Sequence, residues 1–225
     1  MKAITKPRRT ALEEKKVDIS AMRRELADVS PFPIRMRSAV SLQVLMMFDI
    51  TGSMFQYFYL VREKFGSIAS FVMKEVRSEF AVFAYRNHGD EGPYSQIYYT
   101  SSLTNNINVV SEAIGAIEKG GGGSAALTCM EDCLREANNL PWQEKSAKAV
   151  VIVGDMPPHG VLDRVSICPR GIDYQQEIEK LKRRGVHFFP VFCGNIDRVR
   201  EFYQSLVDGE KGKFLEIKDI DILVE

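Results

Sequence analysis

The feature that most constrains the fold is a nearly continuous run of apolar residues, SLQVLMMFD at positions 41–49. A strand with one face in water alternates apolar and polar side chains, whereas a strand covered on both faces is apolar almost throughout. The run therefore predicts the central strand of a sheet that is covered on both sides.

Apolar and polar segments alternate along the chain after this run. Strands that alternate with helices of the lengths seen here indicate βαβ units joined by right-handed crossovers. We predict an α/β fold with a doubly wound, mostly parallel central sheet and helices on both faces. Strands are expected at residues 79–85, 96–100, 147–154, 186–193 and 213–217, and helices at residues 53–76, 107–118, 126–138, 174–184 and 197–207.

Length and composition favour one globular domain. The 225 residues, of which 45% are hydrophobic, allow one sizeable core but are too few for two full domains. Residues 1–38 are polar and interrupted by prolines, with a weakly amphipathic stretch around Ile19, Met22 and Leu26. We interpret residues 1–38 as a partly helical N-terminal extension and residues 39–225 as the domain.

Charge and hydropathy argue against two classes of partner. Thirty basic residues balance thirty acidic residues, so no strong overall field favours nucleic acid. No window holds about 18 consecutive apolar residues, so we expect no insertion into a membrane.

The four cysteines form no CxxC pair, which fits a reducing cytoplasmic location. Cys129 and Cys133 are interpreted as packing residues of a helix.

Two carboxylates follow apolar strands at the points where ligands of parallel sheets bind. Asp49 ends the central run, and Asp155 directly follows AVVIVG. Asp49, Thr51 and Ser53 alternate, so an extended turn can point three oxygen-bearing side chains the same way. Two aspartates supplemented by hydroxyls match the ligands that Mg²⁺ prefers. The alternative is that Thr51 or Ser53 only caps a helix.

A glycine run, GGGGS at residues 120–124, enters another predicted helix. It lacks the lysine of a phosphate-binding P-loop, and it follows a helix rather than a strand. As a flexible loop it would deliver Ser124 to a metal, with Thr128 as the other candidate ligand. The alternative is a helix C-cap followed by linker glycines.

Histidine and arginine side chains follow two of the predicted strands. His159, in GDMPPHG, is either a ligand or donor, or a residue that hydrogen-bonds its own loop. Arg86 and His88 either hold a partner or the neighbouring loops, or they form a solvated turn paired with Asp90 or Glu91.

Together the three loops resemble the von Willebrand factor A (vWA) family, whose metal-ion-dependent adhesion site combines an Asp-x-Ser/Thr-x-Ser loop, a later Thr or Asp, and an Asp after the fourth strand. Asp49, Thr51 and Ser53 match the first motif and Asp155 the last, while Ser124 stands where the family usually has Thr or Asp. FAYRNH at residues 83–88, the glycine run and GDMPPHG are similar to an intracellular subgroup found beside alpha-kinases. The resemblance covers about residues 41–225.

The resemblance implies a protein-binding adaptor or scaffold rather than an enzyme. It implies that Mg²⁺, or another divalent cation such as Mn²⁺ or Ca²⁺, is bound by Asp49, Thr51, Ser53, Ser124 and Asp155. A partner protein would supply an Asp or Glu to complete the coordination shell.

Two alternatives stay open beside the adaptor. One is a magnesium-dependent phosphotransferase similar to the haloacid dehalogenases, with Asp49 as nucleophile. That family has a second carboxylate shortly after a Gly-Asp pair, whereas Asp155 is followed by Met, Pro, Pro and His. The other alternative is a scaffold with an empty site.

Overall fold

A computed structural model describes residues 41–90, 97–118, 128–163, 165–207, 209 and 212–219, all within the unit Pro31–Glu225. The expected N-terminal extension and the glycine run with Ser124 lie outside these residues. None of the described helices is long and apolar enough to cross a membrane.

The described strands form a single mixed sheet. They are β1 (Leu42–Asp49), β2 (Ser78–Tyr85), β3 (Tyr98–Thr100), β4 (Ala147–Gly154), β5 (Val186–Phe192) and β6 (Leu215–Glu216). The strand order is β3-β2-β1-β4-β5-β6. β3 pairs with β2 in the antiparallel direction, and the other pairings are parallel. The predicted α/β fold with a mostly parallel central sheet is therefore confirmed.

Strand β1 is central and covered on both faces, as its apolar run predicts. Val44, Met46 and Phe48 point into one core cluster, while Leu45 and Met47 point into the other. The first cluster contains residues of helices α1 (Phe58–Glu75) and α2 (Ile107–Ala116). The second contains residues of helices α3 (Met130–Asn139), α4 (Tyr174–Arg183) and α5 (Asp197–Leu206). Helices thus cover both sides of the sheet.

Two helices begin later than their sequence patterns predict. The helix expected at residues 53–76 divides into a short 3₁₀ turn, Gly52–Gln56, and then α1. The helix expected from residue 126 begins at Met130 within the described part of the chain. The N–H of Cys129 donates to the carbonyl of Arg86 at 2.7 Å, which anchors the entry to α3 on the loop after β2.

Candidate metal site

The sheet topology brings the two predicted aspartates to neighbouring strand ends. β1 and β4 are parallel neighbours, with Phe48 opposite Val153. From β1 the chain continues to β2 on one side, whereas from β4 it continues to β5 on the other side. Such a switch point opens a crevice beyond the carboxyl ends of the strands. Asp49 is the last residue of β1, and Asp155 directly follows β4.

Each aspartate has one buried oxygen without a hydrogen-bond partner among the described residues. Asp49 is fully buried; its Oδ1 accepts a hydrogen bond from the N–H of Thr51 at 2.8 Å, and its Oδ2 has no partner. Oδ1 of Asp155 is likewise buried without a partner. Buried carboxylate oxygens are costly unless something neutralises them, so the pair is suited to a cation.

Burial opposes the ionisation of both carboxyl groups, and at Asp49 repulsion from Asp155 adds to this effect. Burial, followed by repulsion from Asp155, raises the pKa of Asp49 to about 8, although hydrogen bonds from Thr51 lower it in part. Burial also raises the pKa of Asp155, against a lowering effect of the Ser53 hydroxyl. A divalent cation between the two groups would reverse both effects, because it favours the charged form of each carboxylate.

The hydroxyls of Thr51 and Ser53 lie beside this pair. Their oxygens are 3.3 Å apart, and Thr51 makes no side-chain cap to the 3₁₀ turn that follows it. The described structure therefore does not support a capping role for Thr51. Asp49 and Thr51 are buried, whereas Ser53 is exposed and Asp155 is partly exposed. The group is reached from solvent through this outer side.

The middle ligand stays a prediction, because Ser124 lies outside the described residues. The other candidate, Thr128, is fully buried, and its hydroxyl donates a hydrogen bond to the carbonyl of Pro157 at 3.4 Å. Its N–H also donates to Pro157, at 3.2 Å. Thr128 therefore fastens the start of α3 to the loop that carries Asp155.

Gly154 allows the tight packing around Asp49. A Cβ at this position would collide with the hydroxyl oxygen of Tyr203 and would lie 3.1 Å from both Asp49 Cβ and the Tyr85 hydroxyl. The Tyr203 hydroxyl donates to the carbonyl of Met156 at 3.2 Å. Two buried tyrosines and a glycine thus hold the strand end and its loop together, and none of them stood out in the sequence.

A second group of ligand-type side chains lies beyond the ends of β2 and β4. It contains His88, Glu131, Asp132 and Cys168, with one ligand atom of each within 4.8 Å of the others. His159 joins it, since its Nδ1 lies 2.6 Å from Oε1 of Glu131. His159 therefore binds a neighbouring helix rather than only its own loop.

The solvated-turn interpretation of Arg86 and His88 is wrong. Arg86 is 8% exposed, and the His88 side chain is also 8% exposed and lies against Asp132 of α3. These residues hold neighbouring loops, as the other interpretation proposed.

The packing interpretation of Cys129 and Cys133 agrees with their complete burial. Sequence reasoning missed Glu131 and Asp132, because acidic residues are common in the first turn of a helix and their burial was not visible in the sequence.

Comparisons with known proteins give a fold but no family. No protein-family model and no curated protein matches the chain. Among solved structures, two crystal structures of the pilus adhesin SpaC from Lactobacillus rhamnosus GG match over 84% of this chain. Their TM-scores are 0.60 and, for the open conformation, 0.58, at 12% and 10% sequence identity. The match covers 30% and 29% of the adhesin chains. At this identity the similarity shows a shared fold alone.

Proposed function

We propose that this chain is a vWA-like protein-binding domain that holds a divalent cation, preferably Mg²⁺, at Asp49, Thr51, Ser53 and Asp155. An Asp or Glu of a partner protein completes the coordination of the ion. The observation that carries the proposal is the pair of neighbouring carboxylates, each with one buried oxygen that has no hydrogen-bond partner within the described ranges.

The donor set fits a hard cation. Its members are carboxylates and hydroxyls, and Mg²⁺ binds through oxygen, commonly uses one or two carboxylates, and keeps several waters. Two aspartates and two hydroxyls leave coordination positions to water and to a partner. Ser124 of the glycine run is proposed as a further ligand. When bound, the ion supplies the positive charge that attracts an incoming carboxylate.

The exposure pattern favours docking of a protein over catalysis. Ser53 is exposed and Asp155 is partly exposed, so a partner's carboxylate can reach the ion from solvent. Asp49 is fully buried, which disfavours it as a nucleophile that must contact a substrate. The SpaC structures belong to a pilus adhesin, and adhesion by a related fold is consistent with a binding role here.

Calorimetry with MgCl₂ tests the ion site directly. The wild-type protein should bind one equivalent, and Asp49→Ala and Asp155→Ala should lose this binding while staying folded. Asp197→Asn is the matched control, since the Asp197 side chain is 87% exposed and lies on α5. Unchanged Mg²⁺ affinity in both alanine variants would contradict the site.

Partner binding is tested by co-purification in chelator and again after Mg²⁺ is restored. We expect recovery only with the ion, in wild-type protein and in Asp197→Asn but not in Asp49→Ala. Each acidic residue of a recovered partner is then replaced by its amide. Loss of binding in one such variant supports direct coordination, whereas full binding by every variant refutes it.

A further inference from the structure

The second cluster draws its side chains from three separate segments. His88 lies in the loop after β2, Glu131 and Asp132 lie in the first turn of α3, and Cys168 lies between β4 and α4. Nε2 of His88 is 2.9 Å from Oδ2 of Asp132 and 3.6 Å from Oε1 of Glu131. It is also 3.6 Å from Sγ of Cys168.

Two of the three separations measured from Nε2 of His88 match the spacing of ligands around zinc, and the third is shorter. Zn–N and Zn–O bonds are about 2.0–2.2 Å and Zn–S bonds about 2.3 Å, so tetrahedral ligand atoms lie about 3.3–3.6 Å apart. Both contacts of 3.6 Å agree with that range. The 2.9 Å contact between His88 and Asp132 has only to open by a few tenths of an ångström.

Hydrogen bonds within the protein leave the cluster unsatisfied. Nε2 of His88 carries at most one proton, so it can donate to only one of the three acceptors that it faces. Oδ2 of Asp132 accepts no hydrogen bond in the described structure, although Nε2 of His88 lies 2.9 Å away. Oε2 of Glu131 is also buried without a partner. A coordinated cation would compensate the buried negative charge that the N–H cannot.

The surrounding side chains orient the ligands. Nη1 of Arg170 and Nη2 of Arg135 lie 3.1 and 3.6 Å from Oδ1 of Asp132, which leaves Oδ2 toward His88. Nδ1 of His159 lies 2.6 Å from Oε1 of Glu131. Partners of this kind fix the orientation of ligating side chains in metal sites.

We propose that His88, Glu131, Asp132 and Cys168 form a closed, four-coordinate Zn²⁺ site. Nitrogen, sulfur and oxygen ligands together select zinc, whereas Mg²⁺ takes oxygen ligands. Four protein ligands leave no position for a substrate, which is the pattern of structural sites. The ion ties the loop after β2, the start of α3 and the segment before α4 to one another. The inference does not rest on the proposed magnesium site, with which it shares no ligand.

Metal analysis and cobalt spectroscopy of the full chain test this site. Protein loaded with Zn²⁺ and dialysed against excess Mg²⁺ should retain one zinc per chain. Protein loaded with Co²⁺ should show the visible bands of tetrahedral cobalt and a near-ultraviolet charge-transfer band from a thiolate. Wild-type protein without retained zinc, or a cobalt adduct without the thiolate band, overturns the proposal.

Variants assign the ligands. Cys168→Ser and His88→Gln should lose retained zinc, and Cys168→Ser should lose the thiolate band. His159→Gln, which removes a supporting contact, should weaken zinc binding about 10–100-fold. His187→Gln, on β5 outside the cluster, is the control and should retain zinc.

The magnesium-site variant Asp49→Ala separates the two proposals. It should keep its zinc while losing Mg²⁺, so either site can fail without the other. Zinc that persists in both Cys168→Ser and His88→Gln, or that disappears in Asp49→Ala, overturns the assignment.

Discussion

Replacement of Asp49 by Asn should stabilise the metal-free protein at alkaline pH and remove its response to Mg²⁺. The substitution keeps the shape of the side chain but deletes a charge that the fold disfavours in the absence of metal. If Asp49 served only the packing of the core, the substitution should instead lower the free energy of unfolding, since most substitutions in a core are destabilising.

The magnitude follows from proton linkage. The folded protein raises the pKa of Asp49 from 3.8 to about 8, so the folded state holds a proton that the unfolded chain has already released. The unfolding free energy therefore falls as pH rises from about 4 to about 8, by about 1.4 kcal/mol per pH unit. The full interval corresponds to about 6 kcal/mol as an upper limit. Loop relaxation and entry of water reduce it, so we expect Asp49→Asn to gain about 2–4 kcal/mol near pH 8.

Urea unfolding in chelator at pH 5 and pH 8 measures this effect. The advantage of Asp49→Asn should grow with pH, and in a separate thermal unfolding experiment near pH 8 it should appear as an increase of about 5–15 °C in Tm. With Mg²⁺ at about 100 times its Kd, the wild-type protein should gain about 2.7 kcal/mol and the variant nothing. Asp197→Asn should stay within about 0.5 kcal/mol of wild type at both pH values.

The reasoning is refuted if Asp49→Asn is destabilised equally at both pH values. It is also refuted if Mg²⁺ stabilises the variant as much as the wild-type protein, because the ion would then bind elsewhere.

Three further results are expected. Thr51→Ala should lower Mg²⁺ affinity in calorimetry by less than Asp49→Ala does, because water can replace a neutral hydroxyl ligand; an equal loss would contradict this. Gly154→Ala should destabilise the fold by about 1–3 kcal/mol in urea unfolding, since the added methyl meets the Tyr203 hydroxyl; wild-type stability would show that the strand end has room. A phosphatase assay with Mg²⁺ should detect no turnover, whereas activity that Asp49→Asn abolishes would favour the phosphotransferase alternative.

The fold could be predicted because its main determinants are local. The run that became β1 is apolar at successive positions, and a strand alternates its side chains between two faces, so both faces had to be covered. Strand β4 agrees with its prediction at both ends, Ala147 and Gly154. The start of α3 could not be predicted, because the N–H of Cys129 donates to the carbonyl of Arg86, which lies in the loop after a different strand, β2.

The proximity of the two aspartates could be predicted for a similar reason, whereas the binding of Mg²⁺ there stays a prediction. Asp49, Thr51 and Ser53 are close in sequence, and Asp155 follows a parallel strand whose end meets theirs. The ligand-type residues of the second cluster, by contrast, form no motif of closely spaced residues in the sequence. Cys168 lies in an irregular segment, and only the tertiary structure brings its thiol within 3.6 Å of His88.

The loop that leaves β4 links the two proposed metal sites, because it carries Asp155 of the magnesium site and His159, which contacts Glu131 of the second cluster. Asp155 stands at its start and His159 four residues later, with two prolines between them that restrict the backbone. The N–H of Thr128 donates to the carbonyl of Pro157, and His159 contacts Glu131, so the segment before α3 and the first turn of α3 each hold this loop. A zinc ion in the second cluster would fix the start of α3 and thereby the position of Asp155 before Mg²⁺ arrives. Such preorganisation lowers the entropic cost of forming the magnesium site and of docking a partner's carboxylate on it.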